Sequence, residues 1–178
     1  MGGKTEVNAL RFCMECGTEL ELRPHHEGGE VPFCPVCGRF RHPVYSTAVI
    51  MIVMDRARER VILIQQYGRG KNILVAGYVD QGESAEAACA REVREELGLT
   101  AARISYNRSE YLPRTNTLML NFTVTVEEGE VRPNGEIDAW RWFSRDEARR
   151  QILPGSLAAR FLNEYFDRLE SERVTKKD

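Results

Sequence analysis

The sequence contains no apolar stretch that approaches the roughly 18 residues needed to cross a bilayer. Its first residues, MGGKTEVNALRF, also lack the long apolar core of a secretion signal. Neither sign of charge is in excess, because 25 basic and 27 acidic residues leave a formal net charge of -2. This balance argues against broad, charge-driven binding of nucleic acid, which usually needs a basic surplus. We therefore expect a soluble, cytoplasmic protein with no membrane partner.

Internal repeats and low-complexity segments are absent as well. The chain has 178 residues, of which 42% are hydrophobic. That is enough for one well-packed domain together with a small appendage. We expect the appendage at residues 1–43, the main domain at 44–172 and a flexible tail at 173–178.

Four of the five cysteines form two CxxC pairs, Cys13 with Cys16 and Cys34 with Cys37, separated by 17 residues. This spacing is typical of paired knuckles around zinc. Four thiolates make a closed tetrahedral shell, so such a zinc is structural. A disulfide framework is the competing interpretation, but it requires an oxidising compartment for which the sequence gives no signal. We expect a zinc ribbon, in which the metal compensates for the small core.

The run from Gly77 to Leu99 reads GYVDQGESAEAACAREVREELGL, and it predicts a helix from Ser84 to Leu97. Three carboxylates, Glu92, Glu95 and Glu96, crowd into little more than one turn of that helix. Like charges at this spacing repel by roughly 0.2–0.5 kcal/mol per pair. A hard divalent cation such as Mg²⁺, which prefers oxygen ligands, would remove that repulsion.

Residues around this helix suggest supporting roles. Gly77 allows close approach of a strand backbone to the site, and Glu83 can brace the loop or accept an N-terminal amide. Arg91 can pair with Glu95, four residues on, or with a loop carboxylate. Tyr78 and Tyr111 offer aromatic faces on which a base can stack, although packing is the competing role for both.

The remaining pattern predicts strands mixed with few helices, hence an α+β domain with a sheet between helices. The predicted strands are Thr47–Met54, Val61–Gln66, Ile73–Tyr78, Ala102–Tyr111, Leu118–Thr125 and Ala139–Phe143. Two further helices are expected at Asp146–Ile152, with Ser144 as N-cap, and at Ser156–Leu169.

The run from Gly77 resembles the signature of the Nudix hydrolases. All its specified positions are met, by Gly77, Glu83, Arg91, Glu92, Val93, Glu95, Glu96, Gly98 and Leu99. The resemblance implies a Nudix α/β/α sandwich and hydrolysis of a nucleoside diphosphate linked to another moiety. It implies Mg²⁺ or Mn²⁺ held by Glu92, Glu95 and Glu96, and a further catalytic glutamate at Glu136.

A zinc ribbon directly before such a domain is similar to the NADH pyrophosphatase subfamily of Nudix enzymes. The motif that follows the signature in that subfamily is matched here at Ser109, Pro113 and Leu118-Met119, but not at its Gln, Trp and Phe positions. The resemblance implies NAD(H) or a related dinucleotide as substrate, NAD-capped RNA as a further partner, and a homodimer.

Two alternatives follow from the same residues. The enzyme can instead be a hydrolase of ADP-ribose, nucleotide sugars or nucleoside triphosphates. In a different class, the chain can be a non-catalytic nucleotide sensor whose ribbon is an interaction module. The complete carboxylate set argues against the sensor, which does not need it.

Overall fold

The computed structural model describes residues 10–175, which form two compact units that meet in sequence between Tyr45 and Ser46. The small first unit has an antiparallel sheet with the order β1-β2-β3. Its strands are β1 Glu21–Pro24, β2 Glu30–Cys34 and β3 Arg39–Phe40. These short strands confirm the predicted ribbon-like N-terminal element.

The second unit is built on a six-stranded mixed sheet with the order β7-β8-β4-β5-β9, in which β6 pairs with β4. The strands are β4 Ser46–Met54, β5 Arg60–Gln66, β6 Val75–Tyr78, β7 Ala101–Leu112, β8 Thr117–Val126 and β9 Ile137–Ser144. The helices are α1 Ala85–Leu97, α2 Arg145–Gln151 and α3 Leu157–Thr175. All six predicted strands and three predicted helices are present, with ends shifted by a few residues.

Strand β4 lies at the centre of the sheet because both of its faces are apolar. Every residue from Ala48 to Met54 is buried, as expected for a continuous apolar run that is covered on both sides. β4 runs parallel to β8 and antiparallel to β5 and β6.

Helices cover the two faces of this sheet, which confirms the predicted sandwich. On one face, Val49, Met51 and Val53 pack with the apolar side of α1. On the other, Ile50, Ile52 and Met54 pack with α2 and α3. The alternation follows from the period of two in a strand, and it gives each half of the domain its own core.

The ends of α1 are set by local chemistry. The Ser84 hydroxyl accepts a hydrogen bond from the Ala87 backbone N–H at 3.1 Å, which makes it the N-cap. Gly98 ends the helix in the left-handed conformation, with φ of 68°. α1 therefore presents a fixed set of side chains, with Ala88, Cys89, Val93 and Leu97 in the core.

The last two helices agree with the sequence prediction at their starts. Ser144 and Glu147 form a reciprocal capping box at the beginning of α2. α3 continues to Thr175, beyond the predicted end at Leu169. Residues 176–178 of the predicted flexible tail lie outside the described residues. None of the helices within residues 10–175 has both the length and the apolarity to span a membrane.

Candidate functional site

A cleft of about 560 Å³ opens beside α1, at the end of the sheet where β6 pairs with β4. One part of its lining is charged and comes mainly from α1, including Arg91 and Glu95, with Asp80 and Glu136 added from loops. The other part carries no charge and includes Ala48, Leu112 and Met119. The cleft therefore joins a carboxylate-rich end to an uncharged end.

The pairing of β6 with β4 explains this division. Tyr78 is paired with Ala48, and Gly77 with Val49. Cross-strand partners share a face of the sheet, so Tyr78 lies on the α3 side whereas Gly77 lies on the α1 side, against Glu92. The Tyr78 side chain is 61% exposed and lines the cleft.

Arg91 holds the carboxylates of the Gly77–Leu99 run together. Its guanidinium binds Glu83 through Nη2 at 2.7 Å and Nε at 3.2 Å, and one nitrogen, Nη1, reaches both Glu92 at 2.8 Å and Glu95 at 3.1 Å. It also donates to the Tyr78 carbonyl oxygen at 3.0 Å. Arg91 thus makes both of the pairings weighed from the sequence, and Glu83 acts through it.

Glu83 also stabilises the turn before α1, because its carboxylate accepts the Asp80 backbone N–H at 2.8 Å. The bond from Arg91, followed by that N–H, lowers the pKa of Glu83 below its ordinary value. Glu83 therefore remains an anion over the physiological pH range, while the side chain itself does not line the cleft.

Glu96 is the buried carboxylate of the cleft, only 5% exposed. Burial, followed by the nearby charges of Glu92 and Glu136, raises its pKa to about 7. Burial also raises the pKa of Glu92. Burial and mutual repulsion thus oppose full ionisation of Glu92 and Glu96, as expected for carboxylates that are placed to bind a cation.

Three consecutive residues at the end of β5, which we call the 66–68 strap, each donate a hydrogen bond to a different carboxylate. The Gln66 amide reaches Glu96 at 3.3 Å, and the Tyr67 hydroxyl reaches Glu136 at 3.1 Å. The Gly68 backbone N–H reaches Asp138 at 2.6 Å.

Tyr67 has a positive φ of 57°, which is unusual for a bulky residue and typical of strained functional sites. The strap was not identified from the sequence. Its only local signal is the loop glycines, Gly68 and Gly70.

Glu136 lies at the cleft, as the resemblance implied, and is held from two sides. Tyr67 donates to its side chain, and its backbone N–H donates to the Asn134 side chain at 3.0 Å. The Asn134 backbone N–H in turn donates to the Glu96 carbonyl oxygen at 3.1 Å. This connection brings Glu136 close to the end of α1.

Tyr111, in contrast, is not among the residues that line the cleft. Its hydroxyl donates to the Asn116 side chain at 2.8 Å, across the turn between β7 and β8. Its neighbour Leu112 lines the uncharged end of the cleft instead.

The four cysteines of the first unit gather into one cluster. All four sulfur atoms lie within 4.8 Å of one another. Three of the separations are 3.5 Å for Cys16–Cys34, 3.4 Å for Cys16–Cys37 and 3.9 Å for Cys13–Cys37. A tetrahedral zinc with bonds of about 2.3 Å spaces its sulfur ligands about 3.8 Å apart, whereas a disulfide bond is about 2.05 Å long. The cluster therefore fits a metal site and not a disulfide framework.

The thiol pKa values point the same way. Burial acts to raise the pKa of Cys13, but hydrogen bonds from the Cys16 and Glu15 backbones outweigh it and lower that pKa to about 6. A hydrogen bond with Cys16, together with burial, raises the pKa of Cys37 to about 12. The four sulfurs thus need a cation before all of them can ionise.

Among residues 10–175, only the cysteines bring three or more metal-ligating side chains within 4.8 Å of one another. The carboxylates of α1 are spaced more widely, and Arg91 bridges Glu92 and Glu95. Their oxygen donors and the raised pKa of Glu96 nevertheless suit a hard divalent ion.

Comparison with known proteins gives a family match. The family model described as the NUDIX domain matches residues 44–164. A protein named NAD-capped RNA hydrolase NudC from Pseudomonas aeruginosa strain LESB58 is 33% identical over 159 residues, covering 89% of this chain and 56% of that protein. The protein of the same name from Mycobacterium tuberculosis strain H37Rv is 37% identical over 125 residues, 68% of this chain and 40% of that one. The chain spans about half the length of the curated relatives it matches.

Solved structures support the fold. A Nudix hydrolase from Nitrosomonas europaea superposes with a TM-score of 0.60 and 22% identity, covering 89% of this chain and 91% of that one. The Nudix domain of Shewanella oneidensis NrtR, solved with ADP ribose, has a TM-score of 0.60 and 14% identity, with 77% and 94% coverage. At these identities the likeness concerns the fold alone.

Proposed function

The chain belongs to the Nudix hydrolase family, and we propose that it hydrolyses the diphosphate of NAD(H) or a related dinucleotide. The observation that carries the proposal is the two-part cleft, which places the carboxylates of α1 beside an uncharged end bordered by Tyr78. A dinucleotide has the same two parts, a charged diphosphate and flat rings. An aromatic face such as that of Tyr78 suits a ring by stacking.

Glu92, Glu95 and Glu96 would hold Mg²⁺ or Mn²⁺ in this proposal. When bound, such an ion neutralises charge on the diphosphate and makes a bound water more acidic. Arg91 keeps Glu92 and Glu95 oriented, and Glu83 anchors Arg91. Gly77 leaves room for the Glu92 side chain.

We assign proton acceptance to Glu136. It is a cleft carboxylate outside α1, and Tyr67 and Asn134 hold it in place. Water adds to one phosphorus atom as the bridging P–O bond breaks, giving two monophosphates. For NADH these products are the reduced nicotinamide mononucleotide and AMP.

The choice of substrate is supported by the relatives, which carry the name NAD-capped RNA hydrolase. By similarity, we include NAD-capped RNA as a candidate substrate. Met119, which belongs to the partly matched motif, lines the uncharged end of the cleft. Tyr111 remains in the proposal as a residue next to that end, with its ring outside the cleft lining.

For the first unit, we propose one structural Zn²⁺ bound by Cys13, Cys16, Cys34 and Cys37. We also propose that the zinc ribbon spans residues 1–43 and that the hydrolase domain spans residues 44–172. The non-bonded sulfur distances favour a reducing compartment, the cytoplasm. Exposed apolar side chains on the ribbon, such as Met14 at 65% and Val36 at 71%, favour a homodimer.

A substrate panel tests the proposed function. NADH, NAD, ADP-ribose, diadenosine polyphosphates, nucleotide sugars, nucleoside triphosphates and NAD-capped RNA are compared with Mg²⁺ and with Mn²⁺. We expect the highest kcat/KM for NADH, NAD or NAD-capped RNA. A clear preference for ADP-ribose, a nucleotide sugar or a triphosphate contradicts the dinucleotide assignment, and binding without any turnover supports the sensor.

A further inference from the structure

A second cavity, of about 310 Å³, lies between α3 and the far ends of β7 and β8. We call it the arginine pocket, because Arg58, Arg103 and Arg168 line it. The arginine pocket and the catalytic cleft have no lining residue in common. On β8 the cleft extends to Met119, whereas the arginine pocket begins at Thr123. Four residues of strand, at about 3.3 Å each, separate these two positions by about 13 Å. A diphosphate held at the carboxylates of α1 therefore does not reach the arginine pocket.

The three arginines come from separate elements: the turn between β4 and β5, strand β7 and helix α3. Within the described part of the chain, none of them forms an ion pair. The nearby Arg149, by comparison, binds both Asp167 and Glu170. Glu172 is the one carboxylate in the pocket lining, so the lining retains a net positive charge.

Strand register directs polar groups into the pocket. Arg103 is paired with Thr125 and Ser105 with Thr123, so these side chains share the face of the sheet that α3 covers. Thr123 and Thr125 are only 5% and 9% exposed. The floor of the pocket therefore carries buried hydroxyl groups, although the core beside it is apolar.

A β-bulge completes the polar floor. The register of β7 and β8 shifts between Tyr106 and Arg108, which leaves Asn107 as the extra residue. The Asn107 amide nitrogen donates to the buried Asn121 at 2.9 Å and to Thr123 at 3.0 Å. Its amide oxygen accepts a bond from Arg168 at 2.9 Å.

Tyr165 supports two of the arginines from the α3 side. The Arg58 guanidinium donates to the Tyr165 hydroxyl, and the Arg168 guanidinium lies 5.5 Å from the centre of the Tyr165 ring. Both cations are held in place by neutral partners. The two guanidinium groups are therefore fixed in orientation, while their positive charge is not neutralised.

We propose that the arginine pocket is a binding site for a phosphate group. Guanidinium groups match phosphate oxygens in geometry as well as charge, and the hydroxyl groups of Ser105 and Thr125 add hydrogen-bond donors. The phosphate comes either from a small phosphorylated metabolite or from the backbone of an RNA chain. Both sources present the same chemistry to the pocket.

The test is isothermal titration calorimetry with inorganic phosphate, in buffer without added divalent metal, so that the cleft carboxylates repel the anion. Arg103→Gln is the main variant, since the Arg103 side chain makes no hydrogen bond or ion pair with another described residue, and the backbone pairing of Arg103 with Thr125 does not depend on the side chain. Arg150→Gln is the matched control, because Arg150 is exposed and lies outside the pocket lining. A charge-assisted bond typically contributes enough to change Kd about tenfold or more.

We expect phosphate to bind the wild-type chain and the Arg150→Gln variant alike, and the Arg103→Gln variant at least about tenfold more weakly. A 5′-labelled single-stranded RNA, followed by fluorescence anisotropy, separates the two sources. If RNA affinity falls in the same variant, the ligand is the RNA backbone; if only phosphate affinity falls, it is a small metabolite. No phosphate binding by the wild-type chain, or equal loss in both variants, overturns the proposal. NADH hydrolysis is a separate readout that does not depend on this outcome.

Discussion

The Glu92 carboxyl group occupies the space that a side chain at Gly77 would need. A Cβ atom built on Gly77 would stand 2.0 Å from both Cδ and Oε1 of Glu92. The backbone of Gly77 does not lie in the left-handed region, so the requirement for glycine here is one of space alone. The glycine of β6 and the glutamate of α1 are thus a matched pair, fifteen residues apart in sequence.

Replacement of Gly77 by alanine should therefore displace Glu92. Overpacking of this kind costs about 1–3 kcal/mol of stability, and a displacement of about 1 Å at a catalytic group can cost about 100-fold in rate. We expect kcat for NADH to fall about 100-fold while the circular dichroism spectrum stays native. Gly129→Ala is the control, because a Cβ there meets only Leu99, at an ordinary 3.5 Å. Equal activity of the two variants would show that the position of Glu92 is unimportant.

The raised pKa of Glu96 predicts how stability depends on pH without divalent metal. The pKa is about 7 in the folded protein, and about 4.3 for an unperturbed glutamate. The folded state therefore binds more protons than the unfolded state between these values. The Glu96 contribution is intact below about pH 4.3 and is lost as the pH rises through about 7.

Thermal unfolding at pH 5 and pH 8 measures this loss. Glu96→Gln should show a smaller fall in Tm between the two pH values than the wild-type chain, because the amide does not ionise. Glu128→Gln, an exposed site outside the cleft, should keep the wild-type fall. Added Mg²⁺ should restore wild-type Tm at pH 8, since it binds the ionised carboxylates. The same fall in all three proteins would refute the assigned pKa.

The hydroxyl of Tyr67 predicts a separate effect on turnover. Tyr67→Phe removes the hydrogen bond to Glu136, which is worth about 1 kcal/mol for a solvent-exposed pair. We expect kcat to fall about fivefold with KM unchanged. Tyr106→Phe removes a hydroxyl from another exposed tyrosine, outside the cleft, and should leave both constants unchanged. A rise in KM alone would place Tyr67 in substrate binding instead.

The cysteine cluster predicts zinc content. Metal analysis of the purified chain should give about one zinc per chain, and Cys34→Ser should give much less, with a lower unfolding temperature for the first unit. Cys89→Ala is the control because Cys89 is buried in α1 and belongs to the other unit. Zinc retained in Cys34→Ser, or lost equally in Cys89→Ala, is incompatible with a four-cysteine site.

Local patterns were enough to predict much of this molecule. The apolar run of β4, the Ser84 cap and the spacing of Glu92, Glu95 and Glu96 are all short-range signals, and each of these elements is present. The two CxxC pairs likewise predicted the cluster that the four sulfur atoms form. Such signals depend on residues a few positions apart, which the periodicity of a strand or helix makes visible.

Contacts between residues that are far apart in sequence could not be predicted from such local patterns. The bond between Tyr67 and Glu136 joins residues 69 positions apart, and it depends on an unusual backbone conformation at Tyr67. The bulge at Asn107 depends on the register between β7 and β8. The bond from the Tyr111 hydroxyl to Asn116, across the turn between β7 and β8, likewise could not be predicted from the residue type, which indicates only stacking or packing.

Mg²⁺-dependent turnover of NADH is the measurement that decides whether the carboxylates of α1 support hydrolysis of a dinucleotide diphosphate. The wild-type chain should release AMP and the reduced nicotinamide mononucleotide. Glu95→Gln and Glu96→Gln should each lower kcat by about 100-fold or more, with the fold retained. Near wild-type turnover in both variants would show that these carboxylates are not needed for hydrolysis.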